Sequence, residues 1–274
     1  MDAYTLHCIK PGSKVNLRDI DPSKTPGLQG PDEQERAAAD ALRAQNIEAM
    51  QQLQYRLAAE AKRSLLIVLQ GMDCSGKDGT TRRVLGPLNP QGVRVWSFKK
   101  PTDEELAHDY LWRVHKVVPR RGMIGVFNRS HYEDVLVVRV LNLVPESEWS
   151  LRYDQINDFE RLLTESGTRI LKFMLHISKD EQKERLQARL DDPEKGWKFA
   201  LGDLETRKRW DEYMDAYEAM LERCSTPDAP WFVIPADRKW YRNWAISSIV
   251  RRELELMDPK TPPMDAELKG LKID

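Results

Sequence analysis

The stretch Leu65-Leu66-Ile67-Val68-Leu69-Gln70-Gly71-Met72-Asp73-Cys74-Ser75-Gly76-Lys77-Asp78-Gly79-Thr80 decides the fold. Its opening residues form a branched apolar run, the pattern of a strand buried on both faces. A glycine-bearing loop follows, and then polar, helix-compatible sequence. Gly71, Gly76 and Lys77 satisfy G-x-x-x-x-G-K, the spacing of a phosphate-cradling loop. In such a loop successive backbone N–H groups point inward at an anion. The helix that follows adds its partly positive end, and Lys77 adds a mobile point charge. Gly71, Gly76, Lys77, Asp78, Gly79 and Thr80 are therefore the candidate phosphate-binding set. Asp78 stands where a Ser or Thr would bring a hydroxyl to Mg²⁺, and Asp73 adds a carboxylate to the loop. Two readings stand: a plain glycine turn with Asp78 favouring the helix dipole, or a phosphate loop whose Mg²⁺ arrangement is rebuilt around Asp73.

The chain alternates in the same way on either side of this unit. Val93 to Phe98, Met123 to Asn128, Arg169 to Ile177 and Trp231 to Pro235 read as further strands. Thr102 and Glu105 have capping-box spacing and predict a helix over 102–116. Residues 146–166 and 239–256 carry helical apolar spacing, and Ser178 with Glu181 marks another helix start. Upstream, residues 32–61 place Leu42, Ile47, Met50, Leu53 and Leu57 at helical intervals, a long helix against the core or another subunit. Five strands separated by helices predict an α/β fold with a central parallel five-stranded sheet covered on both faces. Ligands of such sheets sit outside the carboxyl ends of the strands. Residues 1–31, with Pro11, Gly12, Pro22, Pro26, Gly27, Gly30 and Pro31, read as an irregular arm, draped over the domain or mobile. Residues 258–274, with Pro259, Pro262 and Pro263, read as a mobile tail. The domain between them is 32–257.

The 274 residues are 41% hydrophobic and 32% charged, with a net charge of −1, enough for a real core under a charged surface. Global basicity toward nucleic acid is excluded, and no apolar run approaches a membrane span. Cys8, Cys74 and Cys224 are too scattered for a disulfide framework or a metal site, which favours a reducing cytoplasm. Met1-Asp2-Ala3-Tyr4 lacks the pattern of a signal peptide.

Two further segments carry chemistry. Asn128-Arg129-Ser130-His131-Tyr132-Glu133-Asp134 follows the third strand. Nucleotide-binding folds usually end that strand in an Asp supporting Mg²⁺. Here Asn128 takes the place, and the carboxylates arrive at Glu133 and Asp134. Arg129 can fork onto a phosphate at any pH. The plainer reading is a helix start capped by Ser130 with acids in its first turn. The second segment runs from Lys179 to Trp210. Arg185 and Arg189 are four apart and share a helix face. Pro193 interrupts, Lys195, Lys198 and Arg207 follow, and Asp203 reads as the cap of the next helix. This is either a solvated hairpin of mixed charge or a lid that closes over phosphates. His131 reads as a surface or capping group, His115 and His176 have no assigned role, and Trp231, Trp240, Tyr241 and Trp244 read as core packing.

Taken together, Gly71 to Gly79, Phe127 to Asp134, Trp197-Lys198-Phe199, Gly202-Asp203-Leu204, Trp210-Asp211, Pro230 to Ala236 and Lys239-Trp240-Tyr241-Arg242 resemble the polyphosphate kinase 2 family over roughly residues 40–256. Asn128 with Glu133 resembles its class III, which accepts both AMP and ADP. Other classes tend to carry Asp and Asn there. The resemblance implies a P-loop kinase-like three-layer fold with a helical lid over about 179–210. It implies reversible phosphoryl transfer between inorganic polyphosphate and adenine nucleotides, dependent on Mg²⁺ with Mn²⁺ as a substitute, in a dimer or tetramer. By position, Asp73 supports the metal and the transferring group, Lys77 holds phosphate oxygens and Arg129 clamps the phosphates. Asn128, Glu133 and Asp134 face the nucleotide, and Arg185, Arg189, Lys198 and Arg207 belong to the lid or the polyphosphate channel. The acceptor is already an anion, so the chemistry calls for charge neutralisation and not for a strong base. Arg82, Arg83, Lys99, Lys100, Arg120 and Arg121 are candidates for a basic rim. Two alternatives remain at this stage: an ATP-dependent nucleoside monophosphate kinase, and a non-catalytic nucleotide-binding regulator.

Overall fold

The computed structural model describes residues 2–29, 32–268, 270 and 273, with the side chains of Lys198 and Leu268 outside the description. Its strands are β1 (Ser64–Gln70), β2 (Val93–Ser97), β3 (Ile124–Asn128), β4 (Thr168–His176) and β5 (Trp231–Pro235). They form one sheet in the order β2-β3-β1-β4-β5, with every pair parallel. The chain fills one side of β1 with β3 and the other with β4. The crevice of the sheet therefore opens at the carboxyl end of β1, where Gly71 begins.

Residues of β1 alternate between two cores although the whole strand is buried. Leu66 and Val68 face one side with Phe127, Ile170, Met174 and Val233. Leu65, Ile67 and Leu69 face the other with Val126, Leu171, Phe173 and Ile234. The principal helices are α1 (Asp32–Glu60), α2 (Lys77–Thr80), α3 (Arg152–Glu165), α4 (Lys179–Leu190), α5 (Leu201–Lys208), α6 (Trp210–Cys224) and α7 (Lys239–Met257). The first core is closed by α3 and α6, the second by α1 and α7. Each fully buried Leu, Ile or Val contributes about 1.5–3 kcal/mol, so the three layers are held mainly by this period-two pattern. No helix among the described residues is long and apolar enough to cross a membrane.

Several expected elements are altered. The long helix α1 packs on the sheet's own core through Ala39, Met50, Leu53 and Leu57, while Leu42 stays exposed. The helix expected over 102–116 is two short ones, Asp103–Leu106 and Trp112–His115. Thr102 and Glu105 do form the capping box, but the Asp109 carboxylate takes the Leu111 N–H and restarts the chain as a new turn. The helix expected over 146–166 breaks after Trp149, where Leu151 N tightens to a bond with Glu148 O. Beyond α2 the coil widens to a π turn over Thr81–Leu85.

The arm is draped and ordered over its described residues. Ala3–His7 is helical, and Cys8 and Ile9 bridge to Phe232 and Trp231, covering the edge of β5. His7 Nε2 donates to Tyr241 Oη at 2.8 Å, and Tyr241 Oη donates to Pro26 O at 2.7 Å. Of the C-terminal tail, residues 260–267 are exposed, and Lys269, Leu271, Lys272 and Asp274 lie outside the described residues.

Candidate active site

The loop leaves the carboxyl end of β1 and reaches α2 through Gly76 at φ +106°. A Cβ there would sit 1.8 Å from Arg242 Nη1, so no side chain fits. Lys77 Nζ donates to the loop's own carbonyls, Gly71 O at 2.6 Å and Met72 O at 3.2 Å. Burial lowers its pKa and Arg129 lowers it further, against the pull of Asp73, Glu133 and Asp78. Its ammonium therefore rests on exchangeable acceptors, close to the space a phosphate would enter. Thr80 is fully buried with its hydroxyl unpaired, and Asp78, on the exposed side of α2, accepts from Asn128 Nδ2 at 2.6 Å.

Two arginines grip the loop by its carbonyls. Arg185 Nη1 donates to Cys74 O at 3.0 Å, and its Nη2 donates to Ala236 O at 2.8 Å and Asp237 O at 2.7 Å. Its Nε donates to Glu181. The guanidinium expected in the lid or the polyphosphate channel is on the first helix of that segment and is spent on backbone and a neighbouring acid. Arg242 Nη1 donates to Ser75 O at 3.1 Å. Burial, with Arg185 adding, lowers its pKa to about 9. Gln182 Nε2 completes the grip on Asp73 O at 3.0 Å. Neither Gln182 nor Arg242 stood out as a site residue in the sequence. A cation in the middle of the aromatic run Trp240 to Trp244 was the available signal for Arg242.

The strand β3 ends beside the loop. Leu69 and Asn128 are paired in register, which brings Arg129 to Asp73. Arg129, at φ +60°, donates from Nη2 to Asp73 Oδ1 at 2.9 Å, and its Nη1 lies 3.7 Å from Glu133. Glu133 raises its pKa first and Asp73 adds to that against burial, so it stays a cation. Ser130 caps the turn His131–Asp134 as expected, but the turn is a single 3₁₀ turn. Asp134 turns to Arg152 of α3, and burial raises its carboxyl to about 7 against that pairing. It braces the segment, while Asn128 and Glu133 are the residues aimed toward the loop. His131, expected at the surface or as a cap, is 1% exposed and bonded to Glu160. Trp231, Tyr241 and Trp244 are buried as expected, and the partly buried Trp240 packs against Tyr241.

The segment expected to form a lid is a helical hairpin of α4 and α5. Ser178 caps α4 through Glu181 N. Asp203, expected to cap α5, is its third residue, and its carboxylate reaches back to Ala200 N. Burial raises the Asp203 pKa, and the charge of Asp73 raises it further. Arg189 Nη1 lies 4.0 Å from Asp203, and Arg207 binds Lys179 O and Gln182 Oε1. Lys198's side chain lies outside the described residues. Of the basic rim, Arg120 and Arg121 precede β3 and so lie at the amino edge of the sheet, opposite the loop. Arg82 lines a cavity of about 360 Å³ beside α2, with Asp78 and Asn128 at one side and Leu85, Leu88 and Val95 among its apolar walls.

Among the described residues no cluster of three His, Cys, Asp or Glu side chains is placed to cage a metal. Mg²⁺ needs only one or two carboxylates when phosphates supply the remaining oxygens. The Asp73 carboxylate has one oxygen on Arg129 and a second that can serve, so the donor set fits.

A family model described as polyphosphate kinase 2 matches residues 32–262. An AMP/ADP-polyphosphate phosphotransferase of Meiothermus ruber is 52% identical over 266 residues, covering 97% of this chain and 98% of that protein. An ADP-polyphosphate phosphotransferase of Rhodopseudomonas palustris is 46% identical over 79% of this chain and 80% of that protein. The crystal structure of polyphosphate kinase 2 from Arthrobacter aurescens superimposes with a TM-score of 0.91 at 46% identity, covering 97% of this chain and 93% of that one.

Proposed function

The chain belongs to the polyphosphate kinase 2 family, and on that premise we propose that it moves phosphoryl groups reversibly between inorganic polyphosphate and adenine nucleotides, converting AMP to ADP and ADP to ATP. One arrangement carries the reading. Arg129 pairs with Asp73 at the loop whose Gly71 and Met72 carbonyls hold Lys77, while Asn128 and Glu133 flank it from the end of the next strand and the turn beyond. An oxygen of the acceptor's terminal phosphate attacks the end phosphorus of the polyphosphate. The bond to the bridging oxygen breaks, and the chain leaves one unit shorter. Lys77 exchanges the carbonyls of Gly71 and Met72 for oxygens of the transferring group, and Arg129 lends its fork to the same charge. The attacking oxygen is already ionised, so no general base is required. Mg²⁺, held at Asp73, would supply further neutralisation of the phosphates. The cavity beside α2 suits the acceptor's purine, with apolar walls for the ring and Asn128 at its phosphate end.

We assign the protein to the cytoplasm, in keeping with its three free cysteines, and to a homodimer or homotetramer, which sedimentation equilibrium reads directly. The test of the activity is product analysis with Mg²⁺, AMP and long-chain polyphosphate in the absence of ATP. ADP followed by ATP is expected. ATP formed from ADP but nothing from AMP overturns the acceptor assignment. No product from either acceptor overturns the donor and returns the weight to an ATP-dependent kinase or a non-catalytic binder.

A further inference from the structure

The turn His131–Asp134 has little backbone structure of its own. It is one 3₁₀ turn, entered through Arg129 in the left-handed region. Local hydrogen bonds do not hold a segment this short in one orientation. Its two faces meet different partners. Arg129 and Glu133 meet each other beside Asp73. His131 and Tyr132 point the opposite way, into the core between the sheet and α3, and are 1% and 0% exposed.

There they meet a buried ion pair. Lys172, in the middle of β4, is 0% exposed, and Glu160 of α3 is 1% exposed. Lys172 Nζ donates to Glu160 Oε2, to Tyr132 Oη at 2.8 Å and to Cys224 O at 2.7 Å, which uses all three of its protons. Glu160 Oε1 accepts from Tyr132 Oη at 2.8 Å and from His131 Nε2 at 3.2 Å. The carboxylate only accepts, so His131 carries its proton on Nε2. Within the group of Lys172, Glu160 and Tyr132 every polar atom is satisfied and the charges cancel. The same helix holds the far end of the turn through Arg152 and Asp134.

Stability alone does not account for this pair, because apolar side chains of similar volume fill such a place as well or better. What Met and Leu cannot supply is direction. The bonds to Tyr132 Oη and His131 Nε2 fix two adjacent side chains and, through them, the pitch of the turn. We propose that Lys172, Glu160 and Tyr132 are positioning residues for the acceptor, holding the turn so that Arg129, with Glu133 paired beside it, meets the incoming nucleotide phosphate. They touch neither substrate. The proposal rests on the phosphoryl-transfer reading of the site.

The experiment compares wild type with Tyr132→Phe, which keeps the ion pair and removes its bonds to Tyr132 Oη, leaving only the Glu160–His131 bond to the turn. A second variant, Lys172→Met/Glu160→Leu/Tyr132→Phe, replaces the network by apolar volume. Initial rates are measured with AMP and long-chain polyphosphate varied in turn, alongside thermal melts. Tyr132→Phe is expected to raise the KM for AMP at least 5-fold and to lower kcat about 10-fold, with the KM for polyphosphate within 2-fold of wild type. The triple variant is expected to melt cooperatively and show the same split. Either folded variant with wild-type kinetics, including one with a lowered melting temperature, overturns the proposal, as does an equal rise in both KM values. If the triple variant does not fold, Tyr132→Phe decides alone. Absence of AMP phosphorylation by wild type in the same assay overturns the functional reading instead, so the two failures are distinguishable.

Discussion

The phosphate loop and the segment Asn128 to Asp134 lie side by side and touch through Asp73–Arg129 and Asp78–Asn128, yet they are held in opposite ways. The loop is held by its backbone. Carbonyls of Asp73, Cys74 and Ser75 are bound from behind by Gln182, Arg185 and Arg242. The acceptor segment is held by its side chains, which plug into a buried ion pair and a largely buried arginine, Arg152. In the proposed mechanism the difference matches what each side handles. Polyphosphate is a repeating anion with no distinctive face, so charge and oriented backbone N–H groups suffice for it. A nucleotide must present one phosphate in line, and that takes directional side chains.

Three measurements test this contrast, and another tests the scaffold around it. The largest effect is expected on the loop. Lys77→Ala removes the charge that meets the transferring group and should lower kcat by two to three orders of magnitude, about 3–4 kcal/mol of transition-state stabilisation. Near-normal turnover in that variant would sink the mechanism.

The second effect is on stability and lies outside both regions, in the clasp of the arm. Burial lowers the His7 pKa to about 4, against about 6.5 in an unfolded chain. The unfolded state therefore takes the proton first. The contribution of neutral His7 is complete above about pH 6.5 and is lost as pH falls toward 4. The stability gap between wild type and His7→Gln in urea should shrink by about 3 kcal/mol between pH 7.5 and pH 4. A gap independent of pH would refute the buried neutral imidazole.

Salt separates the two sides next. The KM for long-chain polyphosphate should rise with ionic strength roughly several-fold more than the KM for AMP, because the longer anion meets more of the cationic side. Equal slopes would mean that the two sites share one charge environment. The smallest effect is a change of preference. Glu133→Asn should shift the ratio of AMP to ADP turnover by roughly a few-fold, on the order of 1 kcal/mol or less. Equal losses for both acceptors would remove Glu133 from discrimination.

Most of the scaffold was legible. The apolar strand run of Leu65 to Leu69, the glycine spacing and the capping pairs Thr102–Glu105 and Ser178–Glu181 are local signals, and each appears in the structure. The roles of Arg185 and Asp134 were less legible, because a charge in a sequence does not say whether it faces solvent, a substrate or a carbonyl. Arg185 turned to the loop backbone and Asp134 to Arg152. Lys172 carried a readable hint, since a lysine inside Ile170-Leu171-Lys172-Phe173-Met174 sits in a strand of buried residues and requires a partner. Its partner Glu160, twelve residues away on a helix, carried none.

The sequence by itself determined the sheet, the loop and the chemistry they favour, because these depend on spacing within a few residues of chain. Which charges are turned to the protein's own carbonyls and acids emerges from the tertiary structure alone. Lys172, Glu160 and His131 come together from a strand, a helix and a turn, and Arg185 and Arg242 reach the loop from two different helices. Whether such groups are buried, paired or free is set by the packing of the layers, which no local pattern contains.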